Sequence, residues 1–596
     1  MPLTLGQQWN ALPGDVRHRL GQASTGWRHL ARVGGEALRL AAMASGDEAA
    51  RLRAFAADVL LWAHGENPLY GPLAAEILAA PGLPLPAAAC VSLAAVAAGW
   101  RAPTDKEGGQ AYFERLAARR DTERLAGFLV ERMRRDPGSL YWRDKALGLS
   151  LYCGAGKPAE DLETAALAGL RDMPGMVAVA ANLWAQAAFL RGDASACLHE
   201  LVMLGDAPGV TIGPAFGPAF APARMGLALL DAGRDADAWP LLFSALGRAP
   251  WQAGLALVAA DALSGARNAV VPPPGPALIL LYTWNKAADL DATLASLFAS
   301  DLCTAGGGRA RVMALDNGST DETPRVLDKW QAHAGLLRAD LPVNIGAPAA
   351  RNWLIATPEA RAAETLVFLD DDVDLPPDWL GRLGAALAAM PRAGVVGCKV
   401  ADHQAPRLLQ NVAGQLLFPP DAADHASGHA PEGVPELDFQ SLTPNPFRLL
   451  DAHLQGPDWG LFDFIGPADS VTGCCHLFPR AALGAPPAEG GGFSLALGPS
   501  QYDDFERDLR MLAGGRHAAY QGRLRVRHRK RSGLAGQNIG AAGVAGAASS
   551  ASGNRYKMQT MHPRAQIAGF ISAQALRLGE AVARALDALD RAGGRP

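Results

Sequence analysis

The sequence has few cysteines, and none of them stands in a metal-binding pattern. Seven cysteines occur among 596 residues. No two of them form a C-x-x-C pair, so the spacing indicates neither a zinc site nor a disulfide framework. An odd and sparse set of cysteines is typical of proteins in a reducing cytosol.

The chain also lacks long hydrophobic runs and a strong excess of either charge. Its most apolar windows, such as residues 86–100, are too short and too rich in small side chains to span a bilayer. The start of the sequence has no basic stretch followed by an apolar core, so we expect no signal peptide. A formal net charge of −4 gives no reason to expect a nucleic-acid or membrane-surface binder. We therefore expect a soluble cytoplasmic protein and not a membrane-embedded synthase.

Residues 1–267 are rich in alanine, leucine and arginine with apolar residues at helical spacing, which predicts an all-α region. Within about 140–265, three segments share an apolar helix, a glycine turn and a second helix. The turn glycines are Gly156, Gly192 and Gly233. This pattern resembles tetratricopeptide repeats, whose unit is about 34 residues. An irregular helical bundle is the alternative, and either arrangement would offer a groove for a protein or peptide partner.

The pattern changes at the Pro-rich segment 268–276, which reads as a stiff linker. Residues 277–534 then alternate apolar strands, beginning near 277, 311, 365 and 394, with helices near 288–298 and 346–356. This alternation predicts an α/β domain with a mostly parallel sheet that binds ligands at the carboxyl ends of its strands. Residues 535–596 read as a flexible Gly/Ala/Ser tract at 535–553 and a helix over about 562–590.

Four aspartates stand close together after one predicted strand, at positions 370, 371, 372 and 374. Like charges at this spacing need compensation, which solvent or a divalent cation could provide. Asp370 and Asp372 would point to the same side of an extended segment, and Mg²⁺ or Mn²⁺ prefers such oxygen ligands. Asp374 precedes a predicted helix, and we expect it to start that helix.

Two further segments carry polar groups at predicted strand or helix ends. A strand ends in Asp316 and a turn follows it. A glycine turn after Asn344 opens a helix that carries Arg351, and helix N-termini with an adjacent arginine suit phosphate groups. Taken alone, the Asp316 turn could equally be an ordinary strand-to-helix connection.

The last two segments offer a proton acceptor and an imidazole. Asp503 and Asp504 begin a predicted helix whose inner face is Phe505, Leu509 and Leu512, so a carboxylate there could face a cleft and take a proton. A solvated acidic first turn is the alternative. In the basic strand near 522–533, alternation puts His528 on the apolar face with arginines opposite, which makes it a candidate metal ligand or a core residue.

The order of these motifs resembles family 2 glycosyltransferases with the GT-A fold, over about residues 277–533. The resemblance implies that Thr283 and Asn285 in the first loop, with Asp316, Asn344 and Arg351, lie by the donor nucleotide. It also implies that Asp370 and Asp371 hold the nucleotide sugar and that Asp372 binds the metal with His528.

The Asp503-Asp504 pair resembles the Glu-Asp motif of the general base, for which Asp504 is favoured. Asp469 and Gly473 match the region beside the acceptor and donor sugar. The first loop lacks the proline that usually precedes its aromatic residue.

The resemblance implies an inverting hexosyltransferase that uses Mn²⁺ or Mg²⁺ and a nucleotide-diphosphate sugar. The helical region suggests a protein or peptide acceptor, as in flagellin glycosyltransferases that resemble this combination. A carbohydrate or lipid-linked acceptor is the rival.

Two other classes of protein are alternatives to the transferase: a phosphatase of the haloacid dehalogenase type, and a non-enzymatic helical-repeat scaffold with a decayed transferase domain. The acids at 316, 370, 372 and 504 argue against decay.

Overall fold

The structure is a computed structural model of the chain. It describes residues 3–103, 109–204, 214–419, 443, 445–454, 456–484, 491–530 and 545–593.

The first half of the chain is helical, as predicted. Its helices in the described ranges are α1 Leu5–Asn10, α2 Gly14–Gln22, α3 Trp27–Met43, α4 Gly46–Glu66, α5 Gly71–Ala79, α6 Ala87–Gly99, α7 Gly109–Ala118, α8 Thr122–Arg135, α9 Leu140–Cys153, α10 Lys157–Leu167, α11 Val177–Leu190, α12 Ala194–Val202, α13 Phe220–Asp231, α14 Asp235–Arg248 and α15 Ala253–Ser264.

The three predicted helix–turn–helix units are present. Gly156, Gly192 and Gly233 lie between α9 and α10, α11 and α12, and α13 and α14, and each has a positive φ that favours glycine. The two helices of each unit pack against each other. Whether the units are tetratricopeptide repeats stays a prediction.

The second half of the chain is built on a sheet. Its strands are β1 Ala277–Thr283, β2 Cys303–Thr304, β3 Gly308–Arg309, β4 Arg311–Asn317, β5 Leu337–Leu341, β6 Thr365–Leu369, β7 Val373–Asp374, β8 Ala393–Asp402, β9 Leu409–Asn411, β10 Leu416–Leu417, β11 Arg448–Leu449, β12 Ile465–Ala468, β13 Cys475–Pro479 and β14 His517–His528. The helices between them are α16 Ala287–Phe298, α17 Thr323–Ala334, α18 Ala347–Ile355, α19 Pro358–Ala362, α20 Trp379–Ala389 and α21 Asp503–Ala513.

The main sheet has the strand order β12-β14-β8-β13-β6-β1-β4-β5, with β7 added to β14 and β9 to β8. Strands β6, β1, β4 and β5 run parallel, and β8 runs parallel to β14, whereas β13 and β12 are antiparallel to their neighbours. The predicted α/β class with a mostly parallel sheet is therefore confirmed. The carboxyl ends of β6, β1 and β4 meet at one edge, because Leu281 lies opposite Leu369 and Thr283 opposite Asp316.

The Pro-rich segment packs against the sheet domain instead of spanning solvent. The Val271 N–H donates to the carbonyl of Gly381 in α20 at 2.9 Å. A β-carbon on Gly384, one turn further along α20, would lie 2.0 Å from the Val271 carbonyl oxygen. The two glycines of α20 therefore allow the segment to lie directly on the helix backbone.

The helical region and the sheet domain share a continuous hydrophobic core. At their contact, Trp459 stacks on Phe189 with ring centroids 4.2 Å apart, and the Arg224 guanidinium lies 4.0 Å from the centre of the Trp459 ring. Arg407 pairs with Asp231 of α13 at 2.8 Å. Stacking and cation–π contacts of this kind add to the apolar burial, so the two regions hold a fixed relative position.

The chain ends in α22 Ala545–Met561 and α23 Arg564–Ala592. The predicted last helix is confirmed, with Ile567, Leu578 and Leu586 buried. Residues 545–553 of the predicted flexible tract belong to α22, and its residues 535–544 lie outside the described part of the chain, so its flexibility stays a prediction. Helix α23 packs against α1, α2 and α15 and thus returns to the N-terminal region. Among the described residues, no helix is long and apolar enough to cross a membrane.

Candidate active site

The polar residues at the ends of β6, β1 and β4 form the centre of the candidate site. Asp370, Asp371 and Asp372 lie in a turn between β6 and β7, and not in the extended segment that their spacing suggested. Asp371 and Asp372 are buried, while the Asp370 side chain is 25% exposed. Burial raises the pKa of Asp371 to about 6.

A lysine that the sequence analysis did not single out compensates two of these carboxylates. Lys286 Nζ lies 3.0 Å from Asp371 Oδ1 and 2.6 Å from Asp372 Oδ2. Burial lowers the pKa of Lys286, but the two carboxylates raise it more, so the amine stays charged. The available signal was its place directly after Asn285, in the loop that follows the first strand.

His528 reaches the same turn from the end of β14. Its Nε2 lies 3.0 Å from Asp372 Oδ1, on the other side of the carboxylate from Lys286. Its Nδ1 lies 3.0 Å from Gln410 Oε1. Burial raises the pKa of Asp372, but His528 and Lys286 lower it more, so this carboxylate is held in its charged form.

Asp374 does not start the following helix, and that prediction is wrong. It lies in β7, which pairs with β14, and α20 begins only at Trp379. Its carboxylate lies 2.6 Å from Arg529 and 2.5 Å from His403. The basic face of β14 attracts Asp374 into the sheet, which local helix-start signals could not reveal.

Arg351 connects the turn formed by Asp370, Asp371 and Asp372, which we call the aspartate turn, to helix α21. Its guanidinium is buried, with Nη1 2.5 Å from Asp503 Oδ2 and Nη2 3.6 Å from Asp370 Oδ1. The rings of Tyr282 and Phe493 lie about 5 Å from its centre, as cation–π contacts do. The arginine is therefore fixed between two carboxylates that are far apart in the sequence.

The two acids at the start of α21 have different surroundings. Asp503 is buried and paired with Arg351. Asp504 is less buried, and its Oδ2 accepts a 2.7 Å hydrogen bond from the Gly473 N–H. Burial and the adjacent Asp503 raise the pKa of Asp504. The predicted inward face of this helix is confirmed, since Phe505, Leu509 and Leu512 are buried.

Another carboxylate of α21 orders the loop beside Asp504. Asp508 Oδ2 accepts hydrogen bonds from Ser470 Oγ at 2.7 Å and from the Val471 N–H at 3.0 Å. Burial raises the pKa of Asp508 to about 7. Asp469 accepts a hydrogen bond from the Leu416 N–H at 2.8 Å and faces Arg577 of α23. Its place beside the sugars stays a prediction.

The loops predicted to lie by the nucleotide are tied to each other. The Asn285 side chain accepts from the Thr320 N–H at 2.7 Å, and the Asn344 side chain accepts from Asn317 at 2.9 Å. Asp316 is buried and accepts from the Ser319 N–H at 2.9 Å. The indole of Trp284, beside these loops in the sequence, is half exposed.

The residues around Asp372 fit a divalent cation. Gln410 Nε2 faces two acceptors, the Asp402 carboxylate and the Lys530 carbonyl, so its Oε1 faces His528 and Nδ1 carries the hydrogen. His528 Nε2 then presents a lone pair to Asp372 Oδ1, and only a proton or a cation between them makes the contact favourable. Asp370 and Cys474 also face His528, with one ligand atom of each of these three residues within 4.8 Å of the others.

Comparison with known proteins agrees with the motifs. Residues 278–415 match the family model described as Glycosyl transferase family 2. The chain therefore contains a family 2 glycosyltransferase domain, and this result does not favour a phosphatase of the haloacid dehalogenase type. Asp503, Asp504 and His528 lie beyond the matched residues, so their roles depend on geometry. No match to the chain is found among curated proteins.

Several solved structures resemble the chain distantly. The structure of GalNAc-T7 with UDP, GalNAc and Mn²⁺ is 12% identical, with a TM-score of 0.32, over 50% of this chain and 48% of that chain. The structure of S. aureus TarS residues 1–349 is 15% identical, with a TM-score of 0.26, over 41% and 57%. The mannosyltransferase PcManGT from Pyrobaculum calidifontis, in complex with GDP-Man and Mn²⁺, is 16% identical, with a TM-score of 0.31, over 58% and 88%. The matched regions thus span about half of the first two of these chains.

Asp508 makes a specific prediction about stability and pH. Its pKa of about 7 in the folded protein exceeds the value of about 3.9 for an unfolded aspartate. The folded state therefore binds this proton more tightly. The stabilisation is complete below about pH 4 and is lost as the pH rises to about 7.

We expect the free energy of unfolding to fall by up to a few kcal/mol over this range, and to fall less in Asp508→Asn. Asparagine keeps one acceptor oxygen for Ser470 and Val471 and cannot titrate. Urea denaturation at a series of pH values measures the difference. An Asp508→Asn profile that runs parallel to the wild-type profile contradicts the assignment.

Proposed function

Because residues 278–415 form a family 2 glycosyltransferase domain, we propose that the protein moves a sugar from a nucleotide-diphosphate donor to an acceptor hydroxyl, with inversion and with a divalent cation. The observation that carries the proposal is the bridge made by Arg351. It pairs with Asp503, next to the proton acceptor Asp504, and faces Asp370 in the aspartate turn. A base and a diphosphate site are thereby held side by side, as transfer requires.

The donor nucleotide would lie over the ends of β1, β4 and β6. Asp316 Oδ1 is occupied by Ser319, and its other carboxylate oxygen can accept a hydrogen bond from the base. The half-exposed Trp284 offers an apolar ring against which a base can stack. Thr283 at the end of β1, Asn285 and Asn344 would form the rest of the nucleotide site, the two asparagines by ordering its loops.

Asp372 and His528 would hold a Mn²⁺ or Mg²⁺ ion, with Asp370 and Asp371 beside the nucleotide sugar. When bound, the cation would neutralise the charge that develops on the departing diphosphate. Lys286 pairs with Asp372 Oδ2, so that Asp372 Oδ1 faces His528. Lys286 and Arg351 would also attract the diphosphate, since both are charged and lie at the turn.

Asp504 is the better candidate for the general base. Its raised pKa makes it a stronger proton acceptor than an ordinary aspartate, and it is less buried than its neighbour. The Asp503 carboxylate is committed to Arg351. The Asp504 carboxylate would take the proton from the acceptor hydroxyl as that oxygen attacks the anomeric carbon. A single displacement of this kind inverts the anomeric centre.

We further propose a protein or peptide acceptor, flagellin being one example of the class. The helical units of α9–α14 and the sheet domain share one core, so an acceptor bound on the helices would have a fixed position relative to Asp504. A carbohydrate or lipid-linked acceptor is the rival class.

The acceptor class is tested with the full chain, Mn²⁺, a radiolabelled donor sugar and fractions of cell extract. We expect label in the protein fraction that resists organic extraction and is released by protease. Label that moves into the lipid or oligosaccharide fraction would replace the protein acceptor with the rival class. The Asp504→Asn variant controls for non-enzymatic labelling.

Removing the proposed metal ligand should abolish cation binding. We expect Asp372→Ala to weaken Mn²⁺ binding by more than about 100-fold. Removing a direct ligand should cost more than the roughly 10- to 100-fold loss of metal affinity that follows removal of a ligand's hydrogen-bond partner. Isothermal titration of Mn²⁺ with and without nucleotide diphosphate measures this loss. The control is Asp378→Ala, which removes a nearby carboxylate that pairs with Arg382 instead. Equal Mn²⁺ affinity in Asp372→Ala and wild type would reject this ligand.

Replacing the proposed base should separate binding from transfer. We expect Asp504→Asn to lower kcat by about 10²- to 10⁴-fold while the donor still binds, because the amide cannot take a proton. Asp503→Asn should instead weaken donor binding, because Arg351 loses the ion pair that holds its guanidinium in position. Initial rates and donor titrations of both variants separate the two effects. If Asp504→Asn transfers sugar normally and Asp503→Asn does not, the base is Asp503.

A further inference from the structure

A thiol lies among the oxygen and nitrogen ligands of the aspartate turn. One ligand atom each of Asp370, Cys474 and His528 falls within 4.8 Å of the other two. The residues stand 104 and 54 positions apart in the sequence, so no short motif reveals them. Cys474 is buried, which distinguishes it from the exposed Cys303.

Backbone pairing fixes two of the three ligands. Strands β6 and β13 are antiparallel, with Leu369 opposite Cys475. Asp370 and Cys474 therefore leave the sheet side by side, and the Asp370 N–H donates to the Cys474 carbonyl at 3.0 Å. Their side chains do not depend on a mobile surface loop for their proximity.

The third ligand is held in the tautomer that binds metals. Gln410 Oε1 accepts the hydrogen of His528 Nδ1, so Nε2, which faces Asp372 Oδ1, is the ring atom that can bind a metal ion. The Cys474 thiol is within hydrogen-bonding reach of the His528 ring. Gln410 is itself buried, so it restrains the ring firmly.

This donor set suits a softer cation than Mg²⁺ or Mn²⁺. Those ions prefer oxygen ligands, whereas zinc binds thiolate, imidazole and carboxylate together. Three protein ligands also leave a fourth position of a tetrahedral zinc site open. We propose that Asp370, Cys474 and His528 form a zinc-binding site, which the cysteine spacing in the sequence did not indicate.

Zinc at this site would exclude the cation of the proposed reaction, because both need His528. At a shared site zinc binds more tightly than manganese in the general order of divalent metals. Zinc would therefore inhibit transfer, and Cys474 would set the sensitivity. This consequence rests on the proposed function, whereas the zinc site itself does not.

Cobalt is the probe for the thiolate ligand, since Co²⁺ replaces zinc and absorbs in the near ultraviolet when bound to sulfur. We expect the metal-free full chain to develop this absorption on titration with Co²⁺, without any donor. Cys474→Ala should lose it. The matched control is Cys475→Ala, since Cys475 is also buried but contacts Cys398, and it should keep the absorption.

Zinc affinity gives a second measurement. Competition with a chromophoric chelator should show binding at least about tenfold weaker in Cys474→Ala than in wild type. Cys474→Ser, which keeps the size of the side chain, should behave like Cys474→Ala. Unchanged zinc affinity in these variants, or cobalt absorption that persists in them, would overturn the proposal.

X-ray absorption at the zinc edge of the wild-type protein needs no variant. We expect one sulfur neighbour at about 2.3 Å with nitrogen and oxygen neighbours closer in. A shell of nitrogen and oxygen alone would overturn the proposal.

Zinc inhibition of sugar transfer, relieved in Cys474→Ala, tests the consequence separately. An inactive wild type would reject the proposed function, while the cobalt and zinc measurements would still decide the site.

Discussion

Compensation of buried negative charge is the constraint on which the active-site region depends. Asp371, Asp372 and Asp503 are buried within one edge of the sheet domain. Buried carboxylates without partners would cost several kcal/mol each, so cations must come to them. Lys286 reaches two of them from the first loop, and Arg351 reaches the third from α18. Each cation lies on a different element, so the charges hold those elements together.

The same constraint explains why Asp372 has two basic partners, one of which can exchange its proton for a metal ion. Lys286 takes one oxygen of the carboxylate, and His528 Nε2 faces the other. A lysine or arginine in place of His528 would complete the pairing permanently. Imidazole instead accepts either a proton or a metal ion, depending on what else is bound. With His528 protonated, the candidate site is thus charge-compensated without a metal ion.

The sequence alone predicts the elements of the sheet domain well, because their signals are local. The strands that begin near 277, 311 and 365 are short apolar runs that end in polar residues, and the structure contains all three. The start of α21 at Asp503 is also a local signal. These features need only the residues within one element.

The partners across elements could not be predicted in this way. Lys286 stands in the loop after the first strand, but its pairing with Asp371 and Asp372 follows only from the folded position of the aspartate turn. Asp374 looks like a helix start locally, but the basic strand β14 pairs it into the sheet. Cys474 resembles a core cysteine until β13 is placed against β6. In each case tertiary pairing of distant strands outweighs the local pattern.

The position of α21 depends on residues outside the glycosyltransferase motifs. Asn554 of α22 donates to the carbonyls of Leu497 and Ser500, just before α21. Gln574 of α23 donates to the carbonyl of Pro467 in β12, just before the loop that reaches Asp504 through Gly473. The far end of α23 accepts hydrogen bonds from α1 through Asp590.

The final helix therefore contacts both the segment that leads to Gly473, the partner of Asp504, and the N-terminal helices. A displacement of the helical region would act on Asp504 through α23, because α23 contacts both α1 and the segment that leads to Gly473. The helical region and the candidate base thus belong to one mechanical unit, although the sequence between them carries no shared motif. Under the proposed function, an acceptor bound on the helices would meet a candidate base whose position those same helices help to fix.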